Sequence, residues 1–171
     1  MGTPEDTAAW ARVRAILIGR RPRRTLIRAL GWAIAAYLFF GHFVRPVRVQ
    51  GRSMEPTVRD GAFRFANLHA ARMRDPRHGE LVVIRTAGRR MMLLKRVLAV
   101  PADRVRFRNG TLWLNGEPQA EPYVVHRGRW TTAEYRLGPD EYYVAGDNRS
   151  AWIEDHEIGI APRARIVGVL F

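Results

Sequence analysis

One segment, residues 26–44, limits what this chain can fold into more than any other. It reads LIRALGWAIAAYLFFGHFV, 19 residues with one charge near the start and one histidine near the end. At about 1.5 Å rise per residue, a helix of that length is roughly 28 Å long, close to the ~30 Å hydrocarbon thickness of a bilayer. Arg28 sits where its stem can snorkel back to the headgroups. Residues 31–40 contain nothing polar beyond the edges of Trp32 and Tyr37, whereas an amphipathic core helix would show a polar face. Residues 26–44 are therefore expected to form a transmembrane anchor helix. The run leads into bulky FVRPVRV and not into a small-residue cleavage site, which argues for an uncleaved anchor over a removed leader.

Charge placement supplies the topology. The chain carries 29 Lys plus Arg against 16 Asp plus Glu, a net charge of +13. Arg12, Arg14, Arg20, Arg21, Arg23, Arg24 and Arg28 crowd its beginning against only Glu5 and Asp6. A basic arm (residues 1–25) ahead of an apolar run stays on the cytoplasmic side, so residues 45–171 are expected outside, at the cytoplasmic membrane. The arginines thus have a topological reason and require no nucleic acid. The remaining segment also lacks aromatic residues interleaved with a compact basic stripe. There is no cysteine, which excludes a disulfide scaffold, a thiolate nucleophile and a thiolate zinc site. The five histidines (His42, His69, His78, His126 and His156) show no close metal-ligand spacing. No metal and no cofactor is expected.

From Val47 onward short β-type runs alternate with Gly, Pro and Asn, so residues 45–171 are read as an all-β domain. Candidate strands are 81–85, 92–100, 104–108, 111–114, 142–145 and 165–170. Asn109-Gly110, between VRFR and TLWL, is a two-residue hairpin turn, since both positions tolerate positive φ. A second Asn-Gly at 115 and 116 is read as the end of that hairpin. Residues 117–140, rich in Pro, Arg and Glu, are read as an extended loop with a short strand at 123–125.

Two residues stand out chemically. Ser53, in GRSMEPT, is one of only two serines, the other being Ser150, and Lys95 is the only lysine beside 28 arginines. Lys95 lies within the apolar run MMLLKRVLAV. Arginine does not give up its proton at accessible pH, whereas a desolvated lysine does, so a site needing a neutral amine as general base cannot accept arginine. A serine activated by a lysine needs neither histidine nor metal.

These residues resemble, in order along nearly the whole chain, the type I signal peptidases, membrane-anchored serine proteases that remove signal peptides from exported preproteins. GRSMEPT (51–57) is similar to their nucleophile box, HGELVVIR (78–85) to the strand that follows, LLKRVLAVPAD (93–103) to the lysine box, and AGDNR (145–149) to the C-terminal box. The resemblance implies a mainly antiparallel β-sheet catalytic domain behind one transmembrane helix, acting as a monomer at the lipid bilayer on exported preproteins. It implies Ser53 as nucleophile and Lys95 as general base, with Met54 and Pro56 shaping a cleft that prefers small side chains at the first and third residues before the cut. Gly146, Asp147 and Asn148 would support the site, the latter two as turn residues whose side chains bond the backbone.

The chain departs from the family at two places. Gly51 stands where some members carry a hydroxyl that donates to the oxyanion. In GDNRSAWIEDHEIGIAP, Trp152 takes the place of the usual serine, Glu154 of the aspartate and His156 of the arginine, while Gly159 and Pro162 keep their spacing. Glu154 and His156 are read as a pH-dependent pair. These replacements motivate a second reading, a catalytically silent relative that binds export substrates or machinery.

Overall fold

The computed structural model describes residues 22–86, 92–150 and 159–171, in a chain that divides into two compact units, Met1–Gly41 and His42–Phe171. Helix α1 (Pro22–His42) is 21 residues long. Its large apolar side chains face outward all round, Leu26 being 66% exposed and Trp32 and Tyr37 78% each. Among the described residues, no helix is long and apolar enough to cross a membrane. The expected helix over 26–44 therefore differs from what is seen. It begins earlier and stops at His42, because Val44 opens strand β1 (Val44–Arg48) opposite Asn67 and the Phe43 carbonyl accepts a hydrogen bond from the Leu68 N–H at 3.0 Å.

The second unit is built from antiparallel strands. After β1 come β2 (Phe63–Asn67), a short helix α2 (Leu68–Met73), β3 (Leu81–Arg85), β4 (Met92–Ala99), β5 (Arg104–Arg108), β6 (Thr111–Leu114), β7 (Glu117–Pro118), β8 (Tyr135–Arg136), β9 (Glu141–Ala145), β10 (Ile160–Pro162) and β11 (Ile166–Leu170). They form a seven-stranded sheet ordered β1-β2-β11-β3-β4-β9-β10 and a four-stranded sheet ordered β7-β6-β5-β8. Pro46 lies in β1, at the edge of the larger sheet, where a missing N–H is tolerated. The Asn67 side chain accepts from the Ala70 N–H at 2.8 Å and so caps α2.

Strand β4 is the keystone of the packing. It supplies Val97 to a cluster with Val82, Ile84, Tyr142, Val144 and Ile166, and Leu98 and Ala99 to a second with Phe107, Leu112 and Trp130. Leu94 joins a third with Val49, Met54, Val58, Ala66 and Val83. A strand buried on both faces reads as a continuous apolar run, which is why MMLLKRVLAV shows no alternation. Its ladder with β9 shifts register between Val97 and Ala99, an irregularity of the kind that re-aims side chains near active sites.

Asn109 (φ 50°) and Gly110 (φ 78°) make the hairpin turn between β5 and β6. Asn115 and Gly116, also at positive φ, end that hairpin after Leu114 and turn the chain once more into β7, which pairs with β6. Residues 123–125 form no strand. The pairing in that region is made by Tyr135–Arg136 against β5, where Leu137 N–H also reaches the Asp103 carbonyl at 2.9 Å. On the outer side of β5, Arg106 lies 5.0 Å from the Trp113 ring, a single aromatic contact on a short basic stripe.

Candidate active site

Ser53 lies in the turn between β1 and β2. Val49 N–H bonds the Ala62 carbonyl and Gly61 N–H the Val49 carbonyl, both at 2.9 Å, closing the base of this loop. Gly51 adopts φ 92°, open to glycine at little cost, and its N–H donates to Asp60 Oδ1 at 2.8 Å. Val58 N–H returns to the Met54 carbonyl at 2.9 Å, so residues 54–58 form one helical turn. Met54 and Val58 are each 1% exposed and root that turn in the third apolar cluster. Met54 is thus packed into the core, while Pro56, which follows a cis peptide bond, is exposed and Ser53 is half-buried.

The segment after β9 grips this turn from the other side. Asn148 N–H donates to the Ser53 carbonyl at 2.9 Å, and Asn148 Nδ2 to the Arg52 carbonyl at 3.2 Å. Asn148 Oδ1 accepts from the Ser150 N–H at 3.1 Å, the expected turn role. Gly146 lies so close to Ser53 that a Cβ there would collide with the Ser53 carbonyl. Gly146→Ala should displace the turn that carries Ser53, and a shift near 1 Å beside a reacting group costs about 10²-fold in kcat. Turnover with any cleaved peptide, with the thermal midpoint as control, checks it.

Asp147 departs from the expected turn role. It is fully buried and accepts hydrogen bonds from side chains: Arg96 Nε to Oδ1 at 2.8 Å, Arg96 Nη2 to Oδ2 at 2.6 Å, and Thr57 Oγ1 to Oδ2. The reason is register, since β4 pairs with β9 with Arg96 opposite Ala145, two residues before Asp147. Burial opposes the charged Arg96 guanidinium, but the hydrogen bonds and charge of Asp147 outweigh it and hold its pKa above the ordinary value. Lys95, the residue before Arg96, lies opposite Val82 in the ladder and is 2% exposed.

A second buried pair continues the network. Arg149 donates to Glu121 (Nη2 to Oε1) at 2.7 Å and to the Gly146 carbonyl (from Nε) at 2.6 Å; both side chains of the pair are 3% exposed. The guanidinium stands 5.3 Å from the Phe107 ring and 5.2 Å from the Trp130 ring. Tyr123 donates its hydroxyl to Glu121 Oε1 at 2.8 Å, and Arg96 lies 4.0 Å over the Tyr123 ring. Burial first, then the charge and hydrogen bond of Glu121, push the Tyr123 phenol well above its ordinary pKa, so it remains a donor. The contacts close a ring: Ser53 to Gly146, Arg149, Glu121, Tyr123, Arg96, Asp147, Thr57 and back to the turn of Ser53.

The structure therefore brings Ser53 against Gly146 and Asn148, and ties the strand of Lys95 to the same segment through Arg96 and Asp147. Trp152, Glu154 and His156 lie outside the described residues. Sequence reasoning did not assign Thr57, Arg96, Glu121, Tyr123 or Arg149. Three of these stood inside the recognised motifs, whereas Glu121, one of three glutamates in the 117–140 loop, carried no distinguishing signal. Among the described residues, no group of three or more His, Cys, Asp or Glu side chains is placed to hold a metal.

The family model described as "Signal peptidase, peptidase S26" matches residues 23–171. Signal peptidase I of Bacillus amyloliquefaciens is 30% identical over 153 residues, covering 82% of this chain and 79% of that protein. Signal peptidase IB of Staphylococcus aureus is 30% identical over 157 residues, 80% of this chain and 82% of its own. Probable signal peptidase I-2 of Synechocystis is 29% identical over 136 residues, covering 75% of this chain and 62% of that protein. A crystal structure of a signal peptidase I from Enterococcus faecalis V583 aligns with 57% of this chain and 98% of its own, at 22% identity and a TM-score of 0.46. Since the family match runs from the start of α1 to the last residue, and two of these relatives reach 30% identity over 80% or more of the chain, the chain belongs to the signal peptidase family, peptidase S26.

Proposed function

We propose that the chain is a membrane-anchored serine endopeptidase that removes N-terminal signal peptides from exported preproteins, with the Ser53 hydroxyl as nucleophile and the Lys95 amine as general base. The observation that carries this reading is the burial of Lys95: the only lysine of the chain is 2% exposed, on the strand whose next residue is locked to the segment holding Ser53. A low-dielectric setting disfavours an ammonium and so favours the neutral amine a base must be.

In the proposed cycle, Lys95 Nζ takes the proton of Ser53 Oγ as the oxygen attacks the carbonyl carbon before the cut. The proton passes to the departing amine, leaving an acyl group on Ser53. Lys95 Nζ, neutral again, then takes a proton from a water as that water attacks the acyl carbon, and passes it to Ser53 Oγ as the acyl group leaves. Backbone N–H groups near Ser53 stabilise the oxyanion, a contribution typically near 2.7 to 4 kcal/mol per donor. Gly51 brings no hydroxyl to this task, and its own N–H is committed to Asp60. Met54, buried beside Leu94 and Val83, sets the floor of the cleft from below, and Pro56 shapes its turn.

Membrane attachment belongs to the same proposal, with the N-terminus in the cytoplasm and the β domain outside, acting as a monomer. α1 alone falls short of a spanning segment. The support is its unshielded apolar surface together with the arginine-rich arm that precedes it. Phe63, Phe65 and Phe171, exposed by 67%, 51% and 78%, add an apolar strip on and beside β2.

The test is cleavage of a purified preprotein by the detergent-solubilised chain, with the new N-terminus read by sequencing. A single cut after a small residue, with another small residue two positions earlier, is the expected result. Binding of the preprotein without any cut would favour the catalytically silent reading.

A further inference from the structure

Two consecutive carbonyls of the turn that carries Ser53 point at one residue, Asn148. The Arg52 carbonyl accepts from Asn148 Nδ2 at 3.2 Å, and the Ser53 carbonyl from the Asn148 N–H at 2.9 Å. A trans peptide sets its N–H opposite its C=O, so holding these two carbonyls also aims the N–H groups of Ser53 and Met54 the other way. Among the described residues, neither of those N–H groups donates to a protein acceptor. Both remain open to an oxygen that arrives with the substrate.

The chain needs such a hold on its upstream side. Met54 and Val58 root the turn in the core after Ser53, but Gln50, Gly51 and Arg52 before it are all exposed. Asn148 in turn is oriented by Ser150. Its Oδ1 accepts twice from that residue, from the N–H at 3.1 Å and from Oγ at 2.6 Å. Turned end for end, the amide would set Nδ2 against the Ser150 N–H and Oδ1 against the Arg52 carbonyl, donor facing donor and acceptor facing acceptor.

We infer that Asn148 is a positioning residue for the backbone donors that stabilise the oxyanion, and that the Ser150 hydroxyl keeps the Asn148 amide in its working orientation. The inference rests on Ser53 being the nucleophile, as proposed above. It gives a task to Ser150, which lies just outside the AGDNR box. It also answers the glycine at position 51. With no side-chain hydroxyl there, stabilisation falls on backbone N–H groups, and their direction counts for more. Loss of one oxyanion donor costs roughly 10²–10³-fold in kcat, and misplacement by 1 Å costs about 10²-fold.

The experiment measures cleavage of a purified preprotein by the detergent-solubilised full chain. Asn148→Ala keeps the backbone N–H to Ser53 and removes the amide. Its kcat should fall about 10²-fold while KM stays within about twofold, because oxyanion donors act in the transition state and little before it. Ser150→Ala should lower kcat about fivefold, the worth of one ordinary hydrogen bond, and Ser150→Thr, which restores the hydroxyl, should return it to near the wild-type rate. Joining Ser150→Ala to Asn148→Ala should cost nothing further, since the hydroxyl acts through the amide. The pH at half-maximal rate should match wild type in every variant, as Lys95 is untouched.

Additive losses in the double variant, equal losses in Ser150→Ala and Ser150→Thr, a rise in KM that accounts for the effect, or a displaced pH midpoint would each overturn the inference. Should Asn148→Ala fail to fold, as its thermal transition would show, the comparison of Ser150→Ala with Ser150→Thr still decides. Wild-type rates in both single variants, with Ser53→Ala inactive, sink this inference alone. An active Ser53→Ala chain sinks the reading beneath it as well.

Discussion

Ser53→Ala and Lys95→Arg should each lower preprotein cleavage by more than about 10⁴-fold, because nucleophile and base act as one unit and removing either removes the chemistry. The lysine substitution is the sharper test. Arginine keeps the positive charge at position 95 but never becomes the neutral base, so charge alone predicts retained activity and proton transfer predicts none. Lys95 is 2% exposed, and a larger guanidinium there risks overpacking. Lys95→Met answers that concern: it keeps the length of the stem without the bulk of a guanidinium, so the variant should fold, as its thermal transition would show, while turnover is lost. Single-turnover assays across pH should show wild-type cleavage rising with pH, the direction required when the active form is the unprotonated amine. An active Lys95→Arg enzyme would rule out the amine as base.

The sequence made the β domain legible where its signals were local. The strands at 81–85, 104–108 and 111–114 are seen at those positions, because β-branched and aromatic residues there are bounded by Gly, Asn and Pro, and Asn109-Gly110 accepts only one kind of turn. β1 and β2 were not legible. Arg45, Pro46 and Arg48 on one, and Arg64 and Asn67 on the other, break the apolar pattern, and their pairing depends on a loop of Gly and charged residues closing between them. The end of α1 was misplaced for a related reason. Phe43 and Val44 are as apolar as the helix before them, and only the partner strand, through Asn67 and Leu68, draws them out of it. Motifs picked out Ser53 and Gly146, which the structure brings together, but the roles of Asp147 and Arg149 depend on partners 51 and 28 residues away. No local pattern encodes such distances.

Glu121→Gln should destabilise the β domain by about 3–5 kcal/mol, since it strands the Arg149 guanidinium, 3% exposed, without its counter-charge. Arg149→Met should cost a similar amount by stranding Glu121. Combining Arg149→Met with Glu121→Leu removes both charges and leaves apolar groups beside Phe107 and Trp130, which already flank the guanidinium. The double variant should therefore recover most of the loss, short of it by roughly 1–3 kcal/mol because the Tyr123 hydroxyl loses its acceptor. Tyr123→Phe added to the pair should close that gap. Denaturant titration of the wild type, Glu121→Leu, Arg149→Met and their double variant measures the coupling, and additive single-variant costs would mean that the pair is not energetically linked. Activity should part company with stability. Arg149 also holds the Gly146 carbonyl, and Gly146 is packed against Ser53. The stability-restored variant loses that tether, so its kcat should stay depressed about 10²-fold while its folding midpoint returns. The buried pair then acts as a positioning device for the turn of Ser53, a role separable from its contribution to stability.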